Sequence, residues 1–144
     1  MIDISASTKQ LLNQVLGWLE REQQECGEGF FCKSKMLVQA HEAGELYCGL
    51  AGGSAVGFVM HSIVSARASI DILEVHPERR RQRIGTQLAL NAIERLRSAG
   101  AETVGVQCSP RSSEPFWRSL GFLPPAVSHA RAHEPVRLVL GNVA

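Results

Sequence analysis

A chain of 144 residues, 44% hydrophobic and 20% charged, has the length and apolar content of one domain built on one core. Its formal charge of +1 draws it neither to nucleic acid nor to an anionic membrane, so any basic function must be local. The four cysteines, Cys26, Cys32, Cys48 and Cys108, contain no C-x-x-C pair, which argues against a zinc cluster or a disulfide framework and for reduced thiols in a cytoplasmic protein.

The first residues, Met1 to Ser5, lack the basic stretch and apolar run of a secretory signal. Leu46 to Ala66 contains no Asp, Glu, Lys or Arg and has the length of a membrane span. Gly49, Gly52, Gly53, Gly57, His61 and several serines inside it fit two strands and a turn better.

In chain order, Ile2 to Ile4 reads as a short strand, and Ser7-Thr8-Lys9-Gln10 has the spacing of a capping box, which predicts a helix beginning at Ser7. Leu11, Leu12, Val15, Trp18 and Leu19 give that helix one apolar face through about Gln23, with charged residues opposite. Glu25 to Lys33, with Gly27, Gly29, Phe30 and Phe31, reads as a flexible connection whose aromatics either line a pocket or pack inward. Ser34 to Ala43 is a second helix closed by Gly44. Leu46–Ala51 and Ala55–Ile63 are strands around a tight Gly52-Gly53-Ser54 turn, and Ala68–Val75 is a third antiparallel strand ending before Pro77, which cannot donate to a ladder. Ile84, Leu88, Ala92, Ile93 and Leu96 form the stripe of a helix ended by Gly100. Thr103–Cys108 is a strand, Ser112–Leu120 a short helix and Val136–Leu140 a last strand. Leu123 to Pro135 carries no clear pattern.

The chemistry centres on His76-Pro77-Glu78-Arg79-Arg80-Arg81-Gln82-Arg83-Ile84-Gly85-Thr86, where a strand ends and a helix opens. The first N–H groups of a helix lack internal acceptors and its dipole adds partial positive charge, so this turn is an anion site. Gly85 lets a ligand approach closely, and Arg80, Arg81 and Arg83 add charge suited to a diphosphate. A solvated basic turn is the alternative reading.

From roughly Ala6 to Phe122 the chain resembles the GNAT superfamily of acyl-CoA-dependent acyltransferases. Two motifs carry the resemblance. The family's pyrophosphate pattern (Arg or Gln, two variable residues, Gly, one variable residue, then Gly or Ala) maps onto Arg80-Arg81-Gln82-Arg83-Ile84-Gly85, with Arg83 where the family has glycine. Sliding the match to begin at Gln82 leaves Gln87 where a small residue belongs. The second motif, Pro115-Phe116-Trp117-Arg118-Ser119-Leu120-Gly121-Phe122, resembles the family's fourth helix and the Gly-Phe after it.

The resemblance implies an α/β (α+β) fold with a mixed, mostly antiparallel sheet of six to seven strands. About four helices would flank it, and the fourth and fifth strands would splay apart. It also implies that acetyl-CoA is the cosubstrate, with no metal, and that an acetyl group passes to a primary amine in a ternary complex. The diphosphate would lie on Arg80, Arg81, Gln82, Arg83, Ile84, Gly85 and Thr86, and the pantetheine arm would pair with Leu73 and Val75 and touch Phe116. A carboxylate base falls on Asp71 or Glu74. Three residues apart on a regular strand, the two face opposite ways, so only one serves. Many family members have a tyrosine that protonates the departing thiolate; here that position is Trp117. The only tyrosine, Tyr47, lies in an early strand, which leaves Ser113, Ser112 or Cys108 to contact the thiolate. The acceptor, a small molecule or a protein, would enter beside Gly27–Phe31 and the C-terminal segment. Other readings are an acyl-CoA sensor of the same fold, a toxin-like acetyltransferase of protein or tRNA, and a nucleic-acid module, the last leaving Phe116–Phe122 unexplained. A homodimer is left open.

Overall fold

The computed structural model describes residues 2–27, 30–108, 110–125 and 136–141. The elements are β1 (Asp3–Ala6), α1 (Lys9–Cys26), α2 (Ser34–Glu42), β2 (Leu46–Ala51), β3 (Ser54–Val64), β4 (Arg67–Val75), α3 (Ile84–Ser98), β5 (Thr103–Cys108), α4 (Glu114–Ser119) and β6 (Val136–Gly141). Single 3-10 turns occupy Phe31–Lys33, Pro77–Arg79 and Arg111–Ser113. The six strands form one sheet in the order β1-β2-β3-β4-β5-β6. It is antiparallel except at β4–β5, where α3 makes the crossover that a parallel pair requires. The expected mixed sheet with four helices is thus present, with six strands.

The β4–β5 ladder pairs Arg67–Ile70 with Thr103–Val106, so Asp71 to Val75 continue β4 beyond it. Two compact units emerge from the packing. One holds the residues up to His61 with Ile72–Ala92, the other Ser62–Asp71 with the residues from Ile93 onward.

In the first unit, the buried face of α1 packs with Leu37 and Ala40 of α2, Leu46 and Cys48 of β2, and Phe58 and Met60 of β3. Phe30 and Phe31 pack partly buried against the same core, which decides for packing over an open aromatic pocket. The predicted cap at Ser7 is corrected to Thr8, whose Oγ1 accepts from Leu11 N at 3.2 Å. Ser7 still belongs to the sheet side of the junction: its N–H bonds Leu46 O at 2.9 Å and its hydroxyl meets His41 Nδ1 at 2.7 Å. The helix runs three residues past its predicted end, to Cys26, until Gly27 adopts φ 69° and donates to Gln23 O. The apolar run 46–66 is β2, a turn with both Gly52 and Gly53 at positive φ, and β3. No described helix is long and apolar enough to cross a membrane.

Gly57 of β3 sets how closely α3 approaches the sheet. A Cβ there would lie 2.9 Å from Leu88 Cδ1 and 3.1 Å from the Glu74 carbonyl oxygen. In the second unit, Val104, Val106 and Cys108 of β5 are buried with Leu138 of β6, Trp117 of α4 and Phe122. Trp117 and Phe122 meet edge to face at 5.4 Å. The patternless 123–135 stretch begins with a bridge from Leu123 to Val139, and residues 126–135 lie outside the described residues.

Cys26 and Cys32 are exposed, whereas Cys48 and Cys108 are buried. Burial pushes the Cys48 thiol up to about 11. A thiol reagent at pH 8 should therefore modify two cysteines quickly and two only as the fold opens; four fast reactions would contradict this packing. Gly57→Ala should lower stability by about 1–3 kcal/mol through overpacking, read from urea unfolding, and an unchanged midpoint would show that α3 has slack.

Candidate active site

The turn read from the sequence as a candidate anion site has left-handed backbone in the first unit. After the 3-10 turn Pro77–Arg79, Arg81 and Arg83 adopt φ 67° and 62°, both left-handed, before the chain enters α3. The first helical bond runs from Gln87 N–H to Arg83 O, so the N–H groups of Ile84, Gly85 and Thr86 have no acceptor within the helix. A left-handed residue followed by a right-handed one turns successive N–H groups into a common concavity, a preformed cradle for an anion. Arg81, Gln82 and Arg83 are exposed around it. His76 braces the approach: its Nδ1 accepts from Glu78 N at 3.1 Å, and its ring lies 5.1 Å from that of Trp18.

Arg80 is set apart from its neighbours. Its guanidinium turns back along β4, with Nε donating to Val75 O at 3.2 Å and Nη2 to two carboxylates, Glu22 at 2.8 Å and Glu74 at 3.2 Å. Both carboxylates are buried, while Arg80 is 48% exposed. Glu22 departs from the expectation that the charged residues of α1 lie opposite its apolar face. It lies four residues after Trp18, on the stripe Leu11, Val15, Trp18, and the spacing alone marks it as inward once its charge is set aside.

Burial alternates without interruption along β4, so Asp71 and Glu74 face opposite sides of the strand. Asp71 is exposed and belongs to the second unit, where its carboxylate accepts from Ser62 Oγ at 3.0 Å and Ser69 Oγ at 2.7 Å. Leu73, Glu74 and Val75 share the first unit with the Arg80–Thr86 turn. Ser113 and Phe116 lie in the second unit, at the end of β5. The Ser113 hydroxyl donates to Pro110 O at 2.7 Å, which engages its proton. Burial and the nearby Glu114 carboxylate push the Cys108 thiol up, so it is not a ready nucleophile. Tyr47 stacks on His61 in the first unit, at 5.5 Å between rings.

The sequence profile of the acetyltransferase (GNAT) family matches residues 13–122. The chain belongs to this family. A comparison with curated protein sequences gave no match. Among solved structures, the PaiA N-acetyltransferase of Thermoplasma acidophilum, in complex with coenzyme A, superposes with TM-score 0.74 at 14% identity, covering 98% of this chain and 99% of that one. The ribosomal-protein-S18-alanine N-acetyltransferase of Escherichia coli gives 0.74 at 17%, covering 99% and 94%. A GNAT family acetyltransferase of Brucella melitensis, in complex with acetyl-CoA, gives 0.72 at 15%, covering 98% and 88%. At these identities the likeness shows a shared fold.

Within a GNAT domain the arginine at the motif glycine acquires a physical meaning. Arg83 adopts the left-handed conformation that glycine takes freely, at the cost of crowding its Cβ against the backbone. Trp117 likewise keeps a place in the fold, since its indole is buried between Phe116 and Phe122.

Two outcomes follow. At position 83, Gly should exceed Ala in stability by about 1 kcal/mol because the left-handed backbone penalises a Cβ, the reverse of their order in a helix interior. Equal or inverted melting temperatures for Arg83→Gly and Arg83→Ala would contradict the turn geometry. Arg80→Ala should destabilise by about 2 kcal/mol by leaving two buried carboxylates without their guanidinium, whereas exposed Arg81→Ala should stay within about 0.5 kcal/mol. Chemical denaturation of both variants checks the contrast, and equal effects would contradict it.

Proposed function

We propose that this GNAT protein transfers an acetyl group from acetyl-CoA to a primary amine by direct attack in a ternary complex. The observation that carries the reading is the cradle at the head of α3. Left-handed backbone at Arg81 and Arg83, N–H groups of Ile84 to Thr86 without helical acceptors, and surrounding arginine charge suit a diphosphate. Its glycine-like geometry fits the group despite the arginine at the glycine position. The structures of family relatives in complex with coenzyme A and acetyl-CoA support the same choice of cosubstrate.

Residues Arg80 to Thr86 would hold the diphosphate, chiefly through backbone N–H groups, with Arg81 and Arg83 adding charge. Leu73 and Val75, on the part of β4 beyond its ladder with β5, would offer backbone groups to the pantetheine arm. When bound, acetyl-CoA supplies a thioester as acyl donor.

Glu74 is the carboxylate this reading favours as base. It is buried and shares a unit with the cradle, whereas Asp71 is exposed and already accepts two serine hydroxyls. Glu74 would take one proton from the acceptor's ammonium. As the C–N bond forms and the C–S bond breaks, the nitrogen's second proton ends on the coenzyme sulfur. With Trp117 buried and the Ser113 proton engaged, that proton would pass through water, and positioning of amine against thioester would supply much of the rate.

Acetyl-CoA should raise the melting temperature of the protein, and an amine panel with a thiol-detecting reagent should reveal acceptor-dependent release of free coenzyme A. With a responsive amine, Glu74→Gln should lower kcat by about 100-fold or more, and Asp71→Asn by no more than about threefold. A larger loss at Asp71 would exchange their roles. No stabilisation by acetyl-CoA would end the reading.

A further inference from the structure

We propose that Glu22 and Glu74 together form a cation site for the acceptor's ammonium group, occupied by the Arg80 guanidinium until a diphosphate at the head of α3 draws that arginine away. The proposal rests on the acetyl-transfer reading above and adds to it a second carboxylate and an order of events.

The site already holds a cation. Carboxylates from two elements, Glu22 of α1 and Glu74 of β4, converge on the same nitrogen, Arg80 Nη2. An ammonium is a compact point charge that accepts the same two partners. Glu22 retains further capacity: its Oε1 is buried and makes no hydrogen bond among the described residues, and the same holds for Trp18 Nε1 one helical turn earlier. An ionised carboxylate oxygen so placed favours a cation that brings more than one donor, which an alkylammonium does with three. Trp18 itself packs in the core against Phe58, with its ring also against His76.

Arg80 is built to leave. It is 48% exposed, and its backbone is the first residue of the cradle, so the same side chain that reaches back to the carboxylates is within a rotamer change of a ligand on the turn. The buried Glu22 carboxylate resists losing its cation without a replacement. A diphosphate that competes for Arg80 therefore strengthens the demand for an ammonium, and an ammonium that replaces Arg80 frees it for the diphosphate. The coupling is reciprocal. It favours compact primary alkylammonium acceptors and disfavours neutral ones, and it brings the ammonium to Glu74 only when the donor is in place.

The test uses n-butylammonium as probe, with n-butanol as the uncharged control, in calorimetric titrations of the whole chain. Coenzyme A should tighten n-butylammonium binding about tenfold, whereas pantetheine, which lacks the diphosphate, should give no gain. Glu22→Gln should abolish the gain while coenzyme A still binds. Arg80→Gln, which removes the resident cation but not the carboxylates, should bind n-butylammonium without coenzyme A as tightly as the loaded parent protein does. The proposal is overturned if coenzyme A binds yet leaves n-butylammonium affinity unchanged, if pantetheine gives the same gain, or if Arg80→Gln does not tighten the probe. Failure of coenzyme A to bind at all would instead remove the acetyl-transfer reading beneath it.

Discussion

One guanidinium organises this part of the molecule. Buried carboxylates are tolerated only with a partner, and Glu22 and Glu74 find the same one in Arg80. Because Glu22 comes from α1, Glu74 from β4 and Arg80 from the turn before α3, this three-residue contact joins a helix, a strand end and that turn. Without it, α1 would carry the Glu22 charge into its apolar face.

The turn that supplies Arg80 is equally constrained. Two arginines occupy left-handed backbone, a conformation costing non-glycine residues about 1–2 kcal/mol each. Such strain persists where surrounding structure enforces it, and it concentrates where a backbone shape is used. Here the shape turns N–H groups into a concavity at the positive end of a fifteen-residue helix. At the second of these positions, where the family pattern has glycine, this chain holds left-handed backbone with a cationic side chain.

Much of this was legible in the sequence, for physical reasons particular to each element. The six strands and four helices were readable because apolar spacing follows burial. Thr103–Cys108 alternates cleanly, and Gly44, Gly52, Gly53 and Gly100 all stand at positive φ where the chain must turn or a helix must end. Opposite facing of Asp71 and Glu74 followed from the two-residue period of a strand. What was hidden depended on partners distant in sequence. Glu22 looks like a surface charge until Arg80, fifty-eight residues later, is seen to meet it. Arg80, Arg81 and Arg83 are chemically equal on paper, yet of these Arg80 folds back onto carboxylates while Arg81 and Arg83 stay exposed. The displaced cap at Thr8 had the same origin, since Ser7 is held by Leu46 and His41.

The account turns on what the cradle binds. The most direct measurement is an experimental structure of the protein with acetyl-CoA bound. The account predicts diphosphate oxygens within hydrogen-bond reach of the backbone N–H groups of Ile84, Gly85 and Thr86, with Arg80 turned toward them from Glu22 and Glu74. A diphosphate held elsewhere, or one reached only by exposed arginine side chains with the N–H groups still facing solvent, would contradict it.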